Sequence, residues 1–147
     1  MASYYGAHRT PAGTNLTIFA LESSAAVIAK IHQLIIGSDA TPADIATRFD
    51  VLRHTAAGAA GTTVSKEAAD PQSAASSCNL RGGTMTEPAY AAGFMLEIPL
   101  NQRATFTWIA NPGRELRTTV GTANGIGLRS ISSGGTPNIG ATIAWDE

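Results

Sequence analysis

The side chains able to do chemistry in this 147-residue chain are few: three histidines, one cysteine, two tryptophans and eleven carboxylates. His8, His32 and His54 are far apart and lack the i,i+4 spacing or neighbouring acids that hold a metal ion, so no metal site is expected. Cys78 stands alone, which rules out an intrachain disulfide and a cysteine-based zinc site and leaves a small buried or half-buried thiol as its role. Asp39, Asp44, Asp70, Glu97, Glu115, Asp146 and Glu147 fall at corners or on polar strand faces. Glycosidase chemistry would need two of them about 5 to 9.5 Å apart, and their spacing gives no reason to expect it. Trp108 and Trp145 could form a sugar-stacking platform, but each lies on the apolar parity of its own segment and is expected in the core.

Two common catalytic frames are missing. There is neither a Gly-x-Ser-x-Gly nucleophile elbow nor a Gly-x-x-x-x-Gly-Lys phosphate loop. Gly125-Ile126-Gly127, in a turn-rich region, is too short a signal for nucleotide binding. No catalytic residue, cofactor or metal is therefore expected.

Only 14% of the chain is charged, against about 25% in ordinary soluble domains. With a net charge of −1 it lacks the basic footprint that grips nucleic acid or anionic lipid. No apolar run reaches the roughly 18 to 20 residues of a membrane span, and "MASYYGAHRT" has no signal-peptide core. So little Lys and Glu on a surface hints that other protein covers part of it.

The elements that must position these residues read as strands. Residues 1–15 hold Tyr4, Tyr5, His8 and Arg9 among small residues, Pro11 and Gly13, without a period, and read as an N-terminal arm ahead of a single domain over 16–147. "NLTIFALESS" reads as a first strand. "AVIAKIHQLIIGS", though it would also suit a helical face, is rich in β-branched residues and reads as a second, stopped by Gly37 and Ser38.

A third strand is expected over about residues 45–54. The stretch "AAGAAGTTVSKEAADPQSAASSCNLRGG" reads as a long Ala/Gly/Ser-rich loop, with a short helix near 71–78 capped by Asp70. "GFMLEIPL" alternates, and Pro99, which cannot donate to a ladder, puts it at a sheet edge or ends it there. In "NQRATFTWIANPG", Ala104, Phe106, Trp108 and Ala110 face the core. Pro112-Gly113 then sets a type II turn.

A polar strand "RELRTTV", a strand over 126–132 flanked by Asn124-Gly125 and Gly134-Gly135 turns, and "IGATIAWDE" follow. Seven or eight short strands with Gly/Pro/Asn corners specify an all-β domain of β-sandwich or jelly-roll type.

Residues 25–147 carry ordered blocks: Ile36-Gly37-Ser38 with Pro42-Ala43-Asp44, Arg53-x-Thr55, Asn101-Gln102-Arg103-Ala104-Thr105-Phe106 with Trp108, Pro112-Gly113, Asn124-Gly125-Ile126-Gly127-Leu128-Arg129, and an acidic end. In these blocks the chain resembles small structural proteins of tailed bacteriophages, seen as capsid decoration (cement) proteins or other virion components. The resemblance implies a non-enzymatic β-sandwich present in many copies, made in the bacterial cytoplasm and carried on the capsid exterior.

Its implied partners are the major capsid protein and copies of itself, as a homo-oligomer with a trimer as the expected form. Tyr4, Tyr5, Arg9 and Arg103 are the candidate intersubunit or capsid contacts. A head-tail connector, collar or tail component, and a glycan-binding jelly-roll module aiding adsorption, are the alternatives.

Overall fold

The computed structural model describes residues 1–132 and 134–147, and it is all β, with no helix among the described residues. The strands are β1 (Ser3–Pro11), β2 (Leu16–Glu22), β3 (Lys30–Ala40), β4 (Ala46–Ala56), β5 (Ala60–Thr63), β6 (Lys66–Ala68), β7 (Asn79–Met85), β8 (Ala89–Asn101), β9 (Phe106–Ile109), β10 (Leu116–Arg117), β11 (Gly125–Ser132) and β12 (Asn138–Asp146). They form two antiparallel sheets. The first has the order β10-β3-β12-β1-β6, with β9 also paired to β3, and the second runs β5-β7-β2-β11-β4-β8. The expected β-sandwich is borne out.

Alternation explains which face of each strand is buried. On β12, Ile139, Ala141, Ile143 and Trp145 are all buried, as their parity predicts. They meet Ile18, Phe19 and Leu21 of β2, Phe49 and Val51 of β4 and Ile126 and Leu128 of β11 in one core. Tyr4 stacks on Trp145, its cross-strand partner, with ring centroids 5.9 Å apart. A void of about 10 Å³ lined by Phe19, Leu34, Leu128 and Ile143 is the scale of one water and too apolar to favour one.

Several expectations are corrected. Residues 3–11 are not an arm: β1 pairs with β12 along its whole length, from Ser3↔Asp146 to Pro11↔Asn138, and with β6 on its other side. Its period of two was hidden because two of its inward positions are Gly6 and His8 rather than large aliphatics. Gly6 is needed there for space, since a Cβ would lie 2.2 Å from Leu80 of the opposite sheet.

The long loop is only partly a loop, because β5 pairs with β7 and β6 with β1. The helix near 71–78 does not form. Asp70 caps a single turn through Gln72 N–H (2.9 Å) and Ser73 N–H (2.9 Å), and the following backbone is drawn off by Tyr4, Lys66 and Glu147 instead of continuing the turn.

β3 runs through Gly37-Ser38 to Ala40, and the polar strand after the turn shrinks to Leu116–Arg117. Other readings hold. β8 is an edge strand, Gly113 has φ +81° with Arg114 N–H donating to Asn111 C=O at 2.9 Å, and Cys78 is buried. Phe94 departs from its parity and is 53% exposed, because the ladder between β4 and β8 shifts register between Val51 and Leu52. Ser133, beside the Gly134-Gly135 turn, lies outside the described residues.

Because β1 is an interior strand of the first sheet, a chain lacking residues 1–11 is expected to lose its cooperative thermal transition in circular dichroism. Melting at the full-length temperature would return the segment to the status of an arm.

Candidate functional site

Three groups of polar side chains and one sheet face are candidates for function. The most charged group is on the second sheet. Arg48 and Asp50 are two residues apart on β4 and share a face, and the register sets Asp50 beside Arg129 of β11 and Glu97 of β8. Arg48 Nε lies 3.4 Å from Asp50 Oδ1. The guanidinium groups are covered by rings, Arg129 by Tyr90 at 5.0 Å and Arg48 by Phe94 at 6.0 Å.

Asp50 is 0% exposed. Burial pushes its carboxyl above the usual range, and Glu97 adds to this, while Arg48 and Arg129 pull it back. Neither oxygen has an aligned hydrogen-bond donor among the described residues. Acid and base meet here, but with Asp50 sealed off nothing can reach it as a substrate.

The histidines are separate. His54, under Tyr90 in an edge-on contact (5.9 Å), shares a hydrogen bond of 3.1 Å between Nδ1 and Ala123 C=O. Burial lowers its pKa, and that of His8, whose ring lies against Gly82. His32 Nε2 is 3.5 Å from Asp146 Oδ1. No group of three or more His, Cys, Asp or Glu that could hold a metal ion occurs among the described residues.

Glu147 organises the third group, which sequence reasoning missed. Its carboxylate accepts from Ser76 Oγ, Ser77 N–H (2.9 Å), Cys78 N–H (3.1 Å) and Trp145 Nε1–H (3.0 Å). Burial by itself would raise its pKa, but these donors together hold it below the usual carboxylate range. Beside it Cys78 is pushed up to about 12, first by burial and then by the charge of Glu147, so the thiol is a packing group and not a nucleophile. The only sequence signal was an acid two residues beyond a strand Trp.

The four expected contact residues do not come together. Tyr4 points inward, 4% exposed, with its hydroxyl donating to Ala74 C=O at 2.8 Å; burial, then Glu147 and Cys78, raise its pKa. It is a core residue and is withdrawn as a contact. Arg103 is exposed on the turn before β9, where its N–H bonds Asn101 Oδ1 at 2.9 Å. Tyr5 and Arg9 project together from the outer face of the first sheet. Arg9 is paired with Asp39 at 3.2 Å.

That outer face is the candidate site. The register aligns Tyr5, Ala144, Gln33 and Ile109 in one cross-strand row, Ala7, Thr142, Ile35 and Thr107 in the next, and Arg9, Gly140 and Gly37 in a third. Tyr5 is 41% and Ile109 66% exposed. A trough of about 310 Å³ crosses the third row, bounded by Arg9, Asp39 and Thr105. Trp145 is sealed in the core and Trp108 half-buried. No protein-family model, curated protein or solved structure matches the chain.

Replacing Glu147 by Ala leaves buried donors unpaired and is expected to cost about 1.5–3 kcal/mol at neutral pH, measured by urea unfolding. The folded pKa of Glu147 is depressed from 4.5. Its contribution is therefore present above that pH and lost as pH falls through the folded value, so the gap between wild type and variant should close in acid.

Proposed function

We propose that this protein is a structural component of a tailed-phage virion, decorating the outside of the capsid and binding the major capsid protein. The observation that carries the reading is the outer face of the first sheet, where Arg9 is paired with Asp39 and Tyr5 and Ile109 are presented to solvent. Such a face is suited to lie against protein, here another copy of the chain, which leaves the turn at Arg103 for the shell. The resemblance of the ordered sequence blocks to phage structural proteins supplies the biological setting, and the sealed Asp50 group supplies no accessible chemistry to set against it.

Decoration works through number. A modest contact repeated around a symmetric shell gains strength from multiplicity, so no single site needs high affinity. Arg103, exposed on a polar turn and outside the sheet face, is the residue assigned to the shell, while Tyr5 and Arg9 belong to the face.

Quantitative mass spectrometry and electron microscopy of the native particle are expected to find the protein in hundreds of copies over the shell. About a dozen copies or fewer at the neck would favour the connector or tail reading instead, and absence from the particle would end both. Arg103→Glu is expected to lower occupancy on purified heads by about tenfold, the equivalent of 1.4 kcal/mol, with an unchanged melting temperature.

A further inference from the structure

The outer face of the first sheet carries large side chains at one end and glycines at the other. Tyr5, Gln33 and Ile109 share the first row, with Arg9, Gly140 and Gly37 two rows away and Thr105 extending their row beyond β9. Gly37 is tight against its own chain, since a Cβ there would lie 3.2 Å from Thr105 Oγ1. Gly140 is different. It lies inside β12, has no left-handed φ, and a Cβ on it would have only Gly37 C=O nearby, at 3.9 Å. Glycine weakens a strand, and inside one it often marks a bulge or close approach by another group; the nearest irregularity of β12 falls between Asn138 and Ile139, so Gly140 itself stays in the regular ladder with open space above it.

We propose that this face pairs with the same face of a second copy about a two-fold axis lying across the strands through Ala7, Thr142, Ile35 and Thr107. The proposal rests on the self-association in the reading above and gives it a dyad in place of the trimer expected from the resemblance. Such an axis reverses direction along each strand and keeps each strand over its own counterpart. It sets Gln33 over Gly37 of the second copy, Ile109 over Thr105 and Tyr5 over Arg9, so the larger side chains of the first row face the trough along the third; Ala144, fully buried between Tyr5 and Gln33, makes no contact across the axis.

Charge follows the same pattern. The Arg9 guanidinium meets the Tyr5 ring, a cation–π pairing, with Glu67, the cross-strand neighbour of Tyr5, close to it. His32 comes within one residue step of Asp39, and Asp146 meets Asn138. No two like charges are opposed, as an isologous contact requires.

The area is adequate. Three strands over the nine residues of β12, with the four residues of β9 beside them, cover about 500 Å² per copy, or about 1,000 Å² for both, at the lower bound of a specific interface.

Sedimentation of the purified chain, without heads, tests this. The wild type is expected to be a dimer at about 100 μM or below, and Gly140→Val and Thr142→Arg are each expected to weaken it by about tenfold or more. Gly140→Val has open space in the monomer and should leave the circular dichroism spectrum unchanged; Thr142→Arg, on the axis, sets like charges face to face without touching the core. A wild type that is monomeric at that concentration, or an oligomer that tolerates both substitutions, overturns the proposal. Dimerisation with no protein on the virion would leave the dyad standing and sink the virion reading; shell occupancy by a monomer would do the reverse.

Discussion

Pairing of β1 with β12 is the constraint on which the rest of the molecule depends. It joins residues at opposite ends of the sequence into adjacent interior strands of one sheet, continued by Ala2 N–H to Glu147 C=O at 3.2 Å and Glu147 N–H to Ala2 C=O at 3.0 Å. This register brings Tyr4 onto Trp145 and leaves Gly6 where the opposite sheet, through Leu80, comes closest. It also carries the Glu147 carboxylate to the segment at 76–78, which Lys66 of β6 holds as well. The same alternation that buries Tyr4 exposes Tyr5, so the core and the outer face are fixed by one register.

The second sheet handles its polar groups differently. Glu22, 2% exposed, is held by Arg81 at 2.8 Å and Asn79 at 3.1 Å, a closed ion pair with well-placed donors. Asp50 has charge partners but no aligned donor among the described residues, which makes its burial costly. Thr17 and Glu87 bond each other beside Tyr90, tying the start of β8 to β2. In a chain this poor in charge, a large part of what charge there is holds strands in place.

The fold class was legible in the sequence because it rests on alternation, and alternation is strong in "IGATIAWDE" and in Phe106-x-Trp108. The Pro112-Gly113 turn was legible because a positive φ at the third position demands glycine. β1 was not, since inward Gly6 and His8 carry no hydrophobic signal; what calls for these residue types there is the approach of Leu80 and Gly82, a fact of the folded state alone.

The failed helix at 71–78 has a similar origin, because local capping signals lost to distant acceptors and donors on Tyr4 and Glu147. Of the candidate contacts, Tyr5 and Arg9 share a face through strand parity, which could be seen only once the segment was known to be a strand. Tyr4 beside them is on the opposite side for the same reason.

The end-to-end pairing also orders events in time. As the chain leaves the ribosome, β1 is made long before its nine-residue partner, which begins only at Asn138; of its two strand neighbours only the short β6 comes earlier. At about 5–20 residues per second, β1 waits on the order of ten seconds with one side of its backbone unpaired. Its sequence suits that wait, with glycine, alanine, histidine and arginine in place of a sticky aliphatic run and a proline at its end, a composition that resists pairing with strangers.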